Sequence, residues 1–405
     1  MSAWDSSTQD AGSDVNWRDK LLAEVGDLAS WSSSIRPLAQ KIANGERLSL
    51  DDGLLLYTHP NLPEVGRLSN CVRTSRFGRY AFFNSNVHVN QTNVCVLACK
   101  FCAFRRGRRA SDAYQLEIDE YIEDLRQYAG HVDEVHSVGG LHPEWDVEHY
   151  MKLFSSVKKE FPDIHIKALT AVEIKHLAKL SKLSITDTLS TLHESGLDSL
   201  PGGGAEILDD DVRRIICNGK ESSQEYLDIH STAHELGIPT NCTMLFGTVE
   251  SIDQRLTHLI KLRDLQSETG GFQCFVPYPY LPDDSRLPQA QLATGSEILR
   301  MIAISRIFLD NIPHIKAYRM NIGDEIAELA LRFGADDIDG TVQKESITHL
   351  AGSKAPLDHD KAQLARLVID AGAKPIRRNT VYTSFEEYII PKVTKTRKLR
   401  MAAGE

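Results

Sequence analysis

The sequence predicts an α/β fold, a (β/α)8 barrel of the TIM type that is preceded by an N-terminal helical extension. One observation is a repeated alternation, from about residue 86 onward, of short β-rich runs with helical patterns. Eight such pairs can be counted in the 405-residue chain, which is the number that closes a barrel of parallel strands. A second observation is that clusters of cysteine and glycine follow several predicted strands, where barrel enzymes carry their chemistry.

Each predicted strand is a short run rich in β-branched and apolar residues. The strands are expected at Val87–Val94, Val132–Val138, Ile164–Thr170, Leu197–Leu200, Thr240–Phe246, Phe272–Pro277, Ile315–Met320 and Asp336–Val342. The helices that alternate with them are expected at Tyr114–Tyr128, Val147–Phe161, Thr186–Ser195, Ser222–Leu236, Ile252–Glu268, Ser296–Asn311, Asp324–Arg332 and Lys361–Ala371. A shorter, open barrel stays an alternative, because short strands are easily miscounted.

The chain before the barrel is predicted to be mostly helical over residues 17–80, since apolar residues recur there at spacings of three and four. Ser49 is predicted to cap one of these helices, with Asp52 three residues on. The expected helical stretches are Trp17–Leu28, Ile35–Asn44 and Asp51–Tyr57. The expected domains are a disordered tail (1–16), the helical extension (17–85), the barrel (86–385) and a C-terminal tail (386–405) whose stretch Lys392–Arg400 is basic.

Composition excludes several classes of protein. With 41% apolar and 25% charged residues, the chain is neither collagen-like nor largely disordered. The net charge of −10 gives no basic balance that would indicate nucleic acid or an anionic membrane as a partner. There is no run of 18 apolar residues, and the polar N-terminus does not resemble a signal peptide. We therefore expect a cytoplasmic protein that binds neither nucleic acid nor a membrane.

Three of the seven cysteines, Cys95, Cys99 and Cys102, lie within eight residues at the spacing C-x3-C-x2-C. Soft thiolates favour zinc or an iron–sulfur cluster, and a structural zinc site needs four protein ligands. Three thiolates on a cubane instead leave one iron open for a substrate. Two alternatives remain, namely unconnected thiols and a zinc site with His136 or Cys71 as its fourth ligand. The other cysteines, Cys217, Cys242 and Cys274 together with Cys71, are expected to be structural.

The motif C-x3-C-x-aromatic-C after a first barrel strand resembles the radical S-adenosylmethionine (SAM) superfamily. The resemblance implies that Cys95, Cys99 and Cys102 hold a [4Fe–4S] cluster whose open iron binds SAM. It also implies that the aromatic residue of the motif, Phe101, lies near the adenine of SAM. The basic run Arg105–Arg109 follows the loop and either neutralises cluster or substrate charge or is a solvated surface patch.

Further segments match the superfamily's SAM contacts in the same order along the chain. Gly139 and Gly140 end the second strand, where the superfamily holds the methionine part of SAM; a tight turn would place glycines there as well. Glu206 follows a triple glycine, and the resemblance assigns it to the ribose, although an acidic residue at a helix N-terminus is an alternative role. Thr243 and Gly247 lie in the segment that resembles the superfamily's adenine-contacting strand.

Longer stretches are similar to the aminofutalosine synthase (aminodeoxyfutalosine synthase) family of the futalosine route to menaquinone. They are His136–Trp145, His165–Ile174, Leu197–Ile207, Thr269–Phe272, His314–Tyr318 and Phe333–Thr341. This similarity implies a transferase that adds the 5′-deoxyadenosyl radical to 3-[(1-carboxyvinyl)oxy]benzoate, consumes SAM as a co-substrate and takes an electron from a donor such as flavodoxin or ferredoxin. Cyclic dehypoxanthinyl futalosine synthase and deazaflavin (FO) synthase relatives are alternatives within the superfamily. A non-catalytic iron–sulfur or zinc protein is the alternative of another class.

The implied substrate carries two carboxylates, so hydrogen-bond donors at strand ends are expected to face it. The candidates are His142, Thr170, Arg319 and Thr341. The helical extension is expected to form a lid or a cap of the barrel. The segment Val276–Pro282 departs from the family pattern, which leaves the orientation of its two tyrosines, Tyr278 and Tyr280, open.

Overall fold

The computed structural model describes residues 9–357 and 359–391. The basic segment Lys392–Arg400 and the first eight residues lie outside these ranges, so the predictions made for them stay predictions. No helix within the described residues is both long and apolar enough to cross a lipid bilayer.

The described chain alternates strands and helices through most of its length. The strands are β1 (Gln9–Asp10), β2 (Ser13–Asp14), β3 (Tyr80–Asn84), β4 (Asn86–His88), β5 (Glu134–Ser137), β6 (His165–Ala168), β7 (Thr240–Phe246), β8 (Phe272–Pro279), β9 (His314–Ile315), β10 (Asp337–Gly340), β11 (Lys374–Arg378) and β12 (Phe385–Glu387). The helices are α1 (Trp17–Val25), α2 (Arg36–Ala43), α3 (Leu50–Thr58), α4 (Leu62–Phe77), α5 (Ile118–Arg126), α6 (Val147–Glu160), α7 (Ala171–Ser181), α8 (Ile185–Glu194), α9 (Asp210–Ile216), α10 (Ser223–Glu235), α11 (Ile252–Thr269), α12 (Gly295–Phe308), α13 (Arg319–Ile322), α14 (Asp324–Ala330), α15 (Ile347–Leu350) and α16 (Lys361–Asp370).

The strands form a closed ring of eight parallel positions, which confirms the predicted barrel. The strands β3 and β4 together form the first position, and β4, β5 and β6 pair in that order. Residues 199–200 form the fourth position through bridges to β6 and β7, and β7, β8 and β9 pair in order. A bridge from Lys316 to Asp337 continues the ring to β10, which pairs with β3 and closes it.

The first strand begins earlier than predicted, at Tyr80, so the barrel starts near residue 80 and not at 86. Gly78, with a φ of 55°, ends α4, and the aromatic run that follows pairs with β10 and β11. The predicted third helix is α8, and sequence reasoning missed α7, which begins directly after Thr170. A capping box between Thr170 and Glu173 starts α7. The capping box predicted for Ser49 and Asp52 is confirmed.

The two ends of the described chain are ordered where tails were predicted. The strands β1 and β2 form an antiparallel pair, and the Ala11 carbonyl oxygen between them lies 2.6 Å from Nε2 of the buried His314. At the other end, β12 pairs antiparallel with β11, which itself extends the barrel sheet beside β3. The predicted disordered tail is therefore corrected for residues 9–14, and the predicted C-terminal tail is corrected for residues 386–387.

The helical extension packs against the outside of the barrel. The helix α4 contacts α12 and α1, and α3 contacts both α11 and α12. No residue of the extension lines the cavity at the mouth of the barrel. The prediction that these helices form a lid is wrong, because their apolar faces are buried against helices of the barrel wall.

Candidate functional site

The cysteine loop leaves the first barrel strand and is fixed by backbone hydrogen bonds to three other segments. The Cys95 N–H donates to the Arg106 carbonyl oxygen at 3.0 Å. The next residue donates to the Leu141 carbonyl oxygen at 3.0 Å, and Lys100 donates to the Ile216 carbonyl oxygen at 2.7 Å. The loop is therefore anchored to the chain that follows it, to the segment after β5 and to the end of α9.

The three thiols lie at the boundary between this loop and the barrel interior. Cys99 is buried, whereas Cys95 and Cys102 are half-buried, and Cys102 lines the cavity. Burial raises the pKa of the Cys99 thiol to about 12, although the nearby Lys220 ammonium acts to lower it. Burial raises the pKa of Cys102 as well. Such thiols ionise when they bind a metal centre, because its positive charge replaces the lost hydration.

This donor set fits a cluster better than a single metal ion. Within residues 9–357 and 359–391, no three His, Cys, Asp or Glu side chains form a group that could hold one metal ion. In a cubane each thiolate binds a different iron, so the three sulfur atoms need not converge on one point. The zinc alternative with Cys71 does not fit, because Cys71 lies in α4 and its thiol donates to the Glu24 carbonyl oxygen at 3.1 Å.

A cavity of about 250 Å³ opens beside the cysteine loop, at the carboxyl ends of the barrel strands. We call the part nearest the loop the SAM side; it is lined by Phe101, Cys102, Glu206, Thr243 and Leu245. We call the opposite part the aromatic side; it is lined by His88, His136, Tyr278, Tyr280, Tyr318, Asn321, Glu345 and Thr348. The cavity therefore has two chemically different walls, and histidine and tyrosine rings are concentrated on one of them.

Three of the six predicted SAM residues, Phe101, Glu206 and Thr243, line the SAM side. Glu206 forms an ion pair with Lys220, whose ammonium also lies 5.5 Å from the centroid of the Phe101 ring. Lys220 was not predicted from the sequence, because it is a single lysine after a helix and no surrounding motif indicates a binding role. The pair places one acidic and one basic group beside the predicted position of the SAM ribose.

The predicted glycines lie behind the cavity wall. A Cβ atom on Gly140 would lie 2.2 Å from the Val94 carbonyl oxygen, so the chain packs there against the start of the cysteine loop. The Gly139 N–H donates to Glu173 Oε1 at 3.0 Å. The Gly247 N–H donates to Glu250 at 2.6 Å, in a turn that does not line the cavity. These glycines shape the backbone that supports the site.

Of the predicted substrate residues, Thr170 alone lines the cavity, and its hydroxyl donates to Glu173 at 2.7 Å. His142 is buried outside the cavity, where it stacks on Trp145. Thr341 closes the barrel, since its hydroxyl donates to the Asn86 carbonyl oxygen at 2.9 Å.

The fourth predicted substrate residue, Arg319, is fully buried behind the cavity wall. Its Nη1 donates to Asp324 and to the Pro356 carbonyl oxygen. Its Nε and Nη2 find no hydrogen-bond partner within the described part of the chain.

The basic run Arg105–Arg109 lies on the outside of the loop. Arg105 donates to the Cys95 carbonyl oxygen at 3.4 Å, Arg106 pairs with Asp112, and Arg108 pairs with Glu144. None of these arginines lines the cavity. The run therefore stabilises the loop and its surroundings.

The aromatic side is built mainly by residues that sequence reasoning did not assign to it. His88 and His136 lie opposite each other on neighbouring strands, and their rings stack with centroids 4.3 Å apart. Tyr278 and Tyr318 meet edge to face with ring centroids 5.4 Å apart, so β8, the sixth strand of the barrel, turns Tyr278 towards the site. The alternation of inward and outward side chains along these strands could have indicated which residues face the cavity. The strands are too short and their ends too irregular for this alternation to be recognised in the sequence.

Burial keeps this histidine pair neutral. It lowers the pKa of His88 despite the opposing charges of Glu345 and Asp339, and it lowers the pKa of His136 further, because His88 lies beside it. The Nε2 atom of His88 finds no hydrogen-bond partner within residues 9–357 and 359–391, and neither does Oδ1 of Asn321. The aromatic side therefore offers polar atoms that a ligand would have to satisfy.

Beneath the histidines, the barrel centre is filled by buried ion pairs. Lys167 lies 2.5 Å from Glu134, and Lys316 lies 2.6 Å from Asp339. Burial acts to raise the pKa of Glu134, but the Lys167 ammonium outweighs it and holds that pKa well below its usual range. Each charge has a partner, as a buried charge requires, so these pairs close the cavity floor.

Comparisons with known proteins agree with this site. The model of the radical SAM superfamily matches residues 89–262, and the model of the CofH/MqnC C-terminal region matches residues 269–390. An aminodeoxyfutalosine synthase of Thermus thermophilus is 42% identical over 85% of this chain and 94% of its own length. A cyclic dehypoxanthine futalosine synthase of Streptomyces coelicolor is 37% identical over 86% of this chain and 88% of its own length. The crystal structure of methylornithine synthase superposes with a TM-score of 0.68 at 20% identity, covering 83% of this chain and 96% of that one, which shows a shared fold.

Together, the barrel, the cysteine loop at its mouth and these matches define the class of radical SAM enzymes, which hold a [4Fe–4S] cluster and use SAM. Within this class, the chain belongs to the family that contains the aminodeoxyfutalosine synthases and the relatives with a CofH/MqnC C-terminal region.

Proposed function

We propose that this enzyme is an aminodeoxyfutalosine synthase of the futalosine route to menaquinone. It would add the 5′-deoxyadenosyl group of SAM to the enolpyruvyl double bond of 3-[(1-carboxyvinyl)oxy]benzoate, with rearrangement and loss of bicarbonate, to give 6-amino-6-deoxyfutalosine. The observation that carries the proposal is the 42% identity to the Thermus thermophilus aminodeoxyfutalosine synthase across 94% of that enzyme. A second such synthase, from Streptomyces coelicolor, is 40% identical over 87% of this chain and 94% of its own length.

Cys95, Cys99 and Cys102 would hold the cluster, which when bound supplies the electron that cleaves SAM. The residues of the SAM side then orient the nucleoside. Phe101 offers a ring face to the adenine, and the Glu206 carboxylate accepts hydrogen bonds from ribose hydroxyls. Thr243 donates its hydroxyl proton to the Gly202 carbonyl oxygen at 2.9 Å, which fixes the wall against which the adenine would rest.

Gly139, Gly140 and Gly247 would act through the backbone. Their close packing supports the methionine and adenine ends of the SAM site without lining the cavity. Glu173 is the residue that links this support to the cavity, since it accepts from both the Gly139 N–H and the Thr170 hydroxyl.

The aromatic side suits an aryl enol ether. Its tyrosine and histidine rings provide flat, apolar surface for a benzoate ring, and such contacts favour offset or edge-to-face packing. Nε2 of His88, which has no hydrogen-bond partner in the described part of the chain, lies in the same wall and would donate to a substrate oxygen. Arg319, directly after Tyr318 in the chain, has two nitrogens without a hydrogen-bond partner among the residues that the structure describes. It would add attraction for a carboxylate from behind that wall.

The cavity also restricts water. Its floor is closed by the Lys167–Glu134 and Lys316–Asp339 pairs, and buried and half-buried side chains form its walls. A carbon radical in this space would meet few solvent molecules, which limits side reactions.

Product analysis tests the proposal. The enzyme is reconstituted anaerobically, reduced with dithionite and incubated with SAM and 3-[(1-carboxyvinyl)oxy]benzoate. We expect 6-amino-6-deoxyfutalosine and methionine in equal amounts. Free 5′-deoxyadenosine as the sole adenosyl product would refute the proposal and favour the hydrogen-abstracting relatives, such as the cyclic dehypoxanthine futalosine synthase. The Cys99→Ala variant is the matched control and should form neither product.

A further inference from the structure

A second cavity, of about 400 Å³, lies at the end of the barrel opposite the SAM side, and we call it the basal cavity. Its lining comes from residues within 70–79, 331–332 and 371–373. The first of these segments leads into β3, the second precedes β10, and the third leads into β11. Because the amino ends of parallel strands lie opposite their carboxyl ends, the basal cavity is separate from the cavity at the barrel mouth.

Three arginines line the basal cavity, and no acidic side chain of the described residues does so. Arg79 and Arg332 are exposed, and neither forms an ion pair within residues 9–357 and 359–391. Arg73 is 6% exposed, and its Nε finds no hydrogen-bond partner in the same part of the chain. Unpaired cations around one cavity, in a chain whose net charge is −10, indicate a site for an anion.

Arg79 and Arg332 meet at Gly372. The Arg79 Nη2 atom lies 3.5 Å from the Gly372 carbonyl oxygen, and a Cβ atom on Gly372 would lie 2.3 Å from Arg332 Nη2. Gly372 has a φ of 77°, in the left-handed region that favours glycine, and its lack of a side chain leaves room for the guanidinium group. Two like charges are thus held beside one residue, and their mutual repulsion favours the binding of an anion between them.

Arg73 forms the inner wall of the basal cavity. Its Nη1 donates to the Gly78 carbonyl oxygen at 2.9 Å and its Nη2 donates to the Tyr80 carbonyl oxygen, so the guanidinium group is fixed in place. Burial lowers the pKa of Arg73 to about 10; Asp336 opposes this shift, whereas the Arg332 cation adds to it. An anion beside Arg73 and Arg332 would offset this repulsion.

The acidic residues nearby do not neutralise the basal cavity. Glu328 lies four residues before Arg332 but forms no ion pair with it, and Asp370, at the end of α16, does not line the cavity. Asp336 is buried and already paired with Arg306. The helices α4, α14 and α16 all end here, and each helix end contributes about half a negative charge. Three guanidinium groups outweigh these helix ends, so the cavity keeps a positive charge.

We propose that the basal cavity binds a phosphate group, either as the free anion or on a small molecule, with Arg79 and Arg332 in front of it and Arg73 behind. The planar guanidinium fork matches two phosphate oxygens, and a dianion suits three cations better than a single carboxylate does. Asn70 and Thr74 add a neutral amide and a hydroxyl to the lining. The inference is independent of the proposed function, because it concerns the opposite end of the barrel.

Titration calorimetry on the reconstituted enzyme tests the proposal. The probes are inorganic phosphate, inorganic diphosphate and ribose 5-phosphate, with malonate as a dicarboxylate of comparable charge, all in buffer without divalent metal ions. Arg79→Gln and Arg332→Gln each remove one cation of the basal cavity and keep a long polar side chain. Arg366→Gln is the control, because Arg366 is exposed on α16 and does not line the cavity.

We expect a phosphate probe to bind at one site per chain, and less tightly as the salt concentration rises. Arg79→Gln and Arg332→Gln should each weaken this binding roughly tenfold or more, since each removes a hydrogen bond between charged groups. Arg366→Gln should bind as the unmodified enzyme does. Tighter binding of ribose 5-phosphate than of inorganic phosphate would identify the ligand as an organic phosphate, and the reverse order would identify it as the inorganic anion.

No measurable binding of any phosphate probe at millimolar concentration would overturn the proposal. Equal weakening in Arg366→Gln would do the same, because the effect would then reflect net charge alone, and so would malonate that binds as tightly as phosphate. Binding that disappears when the chain lacks its cluster would place the phosphate at the iron and also refute the site. Failure of the proposed synthase activity is distinguishable, since it changes the reaction product and leaves phosphate binding as it is.

Discussion

Lys220 Nζ lies 2.5 Å from Glu206 Oε1, so the acidic residue predicted for the SAM ribose is already paired with a cation. Both side chains are nearly buried, at 9% and 12% exposure. Burial acts to lower the pKa of Lys220, but Glu206 and Glu221 outweigh it and hold that pKa above its usual range. Lys220 therefore stays protonated and holds the Glu206 side chain in place at the predicted position of the ribose.

Glu206→Gln should weaken SAM binding. The amide keeps the shape of the side chain but removes a charged acceptor, and a hydrogen bond to a charged group contributes about 1.5–3 kcal/mol. We expect the Kd for SAM, measured by calorimetry on the reconstituted enzyme, to rise roughly tenfold or more. Glu225→Gln is the control, because it breaks a comparable ion pair with Lys175 on the outside of the barrel. An unchanged Kd in Glu206→Gln would assign Glu206 a purely structural role.

Cys99→Ala should abolish cluster binding. The variant removes one of three thiolates, and the remaining two cannot hold a cubane against loss to solvent. Iron and sulfide content, together with the visible absorbance after anaerobic reconstitution, measure the result. Cys71→Ala, which also removes a buried thiol, should keep its full iron content, since Cys71 lies in the helical extension. Equal iron content in the two variants would contradict the assignment.

Gly140→Ala should displace the cysteine loop. The added Cβ would lie 2.2 Å from the Val94 carbonyl oxygen, a backbone atom that cannot move without the loop. We expect a stability loss of about 1–3 kcal/mol from overpacking and a lower yield of reconstituted cluster. Gly130→Ala is the control, since nothing lies within 4 Å of its added Cβ. Urea unfolding and iron content measure the two effects, and a Gly140→Ala variant as stable as Gly130→Ala would refute the close contact.

His88→Phe should raise the KM for the aryl enol ether. Phenylalanine retains a ring to stack on His136 but lacks Nε2, the cavity-wall atom that has no hydrogen-bond partner within residues 9–357 and 359–391. Loss of one such hydrogen bond corresponds to roughly tenfold in KM, and the Kd for SAM should not change. His142→Phe removes a buried histidine outside the cavity and should leave KM as it is. A raised KM in His142→Phe together with an unchanged KM in His88→Phe would instead support the original prediction that His142 binds the substrate.

The stability of the barrel should fall in mild acid. Burial lowers the pKa of His234 to about 4, where its ring bonds to the hydroxyls of Thr240 and Thr269. Because the folded pKa lies below 6.5, this contribution to stability is complete above pH 6.5 and is lost as the pH falls towards 4. His234 alone accounts for on the order of 2–3 kcal/mol. Urea unfolding at several pH values between 7 and 4 gives the free energy of unfolding as a function of pH. This free energy should fall less steeply with pH in His234→Gln than in the unmodified protein. It should fall as steeply as in the unmodified protein in His131→Gln, whose side chain is exposed.

The barrel was predictable because short runs that contain β-branched or apolar residues alternate with helical patterns eight times. The start of the first strand was missed because Tyr80 follows a long helix directly, and period alone does not show where the helix ends. The helix α7 was missed because its start depends on a capping box between Thr170, the last residue of a segment predicted as strand, and Glu173, which lies three residues beyond that segment. Sequence patterns therefore predicted the existence of most helices and strands more accurately than the residues at which they begin.

The SAM side was largely predictable, whereas the aromatic side was not. The spacing of the cysteines and the resemblance to the superfamily pointed to Cys102, Phe101 and Glu206, and all three line the cavity. The aromatic side gathers His88, Tyr278 and Tyr318 from strands far apart in the chain, and only barrel closure makes them neighbours. Long-range convergence of this kind leaves no local signal in the sequence.

Barrel closure also sets an order of events during synthesis on the ribosome. Thr341 bonds to Asn86 across 255 residues, so the first strand waits for the last one to be made. At about 5–20 residues per second, that wait is roughly 13–50 s. The cysteine loop leaves the ribosome early in this interval, before the strands that wall it in exist. The thiols of this loop therefore lack the walls of the barrel while the last strands are made, and keeping them reduced during that interval protects the predicted cluster ligands.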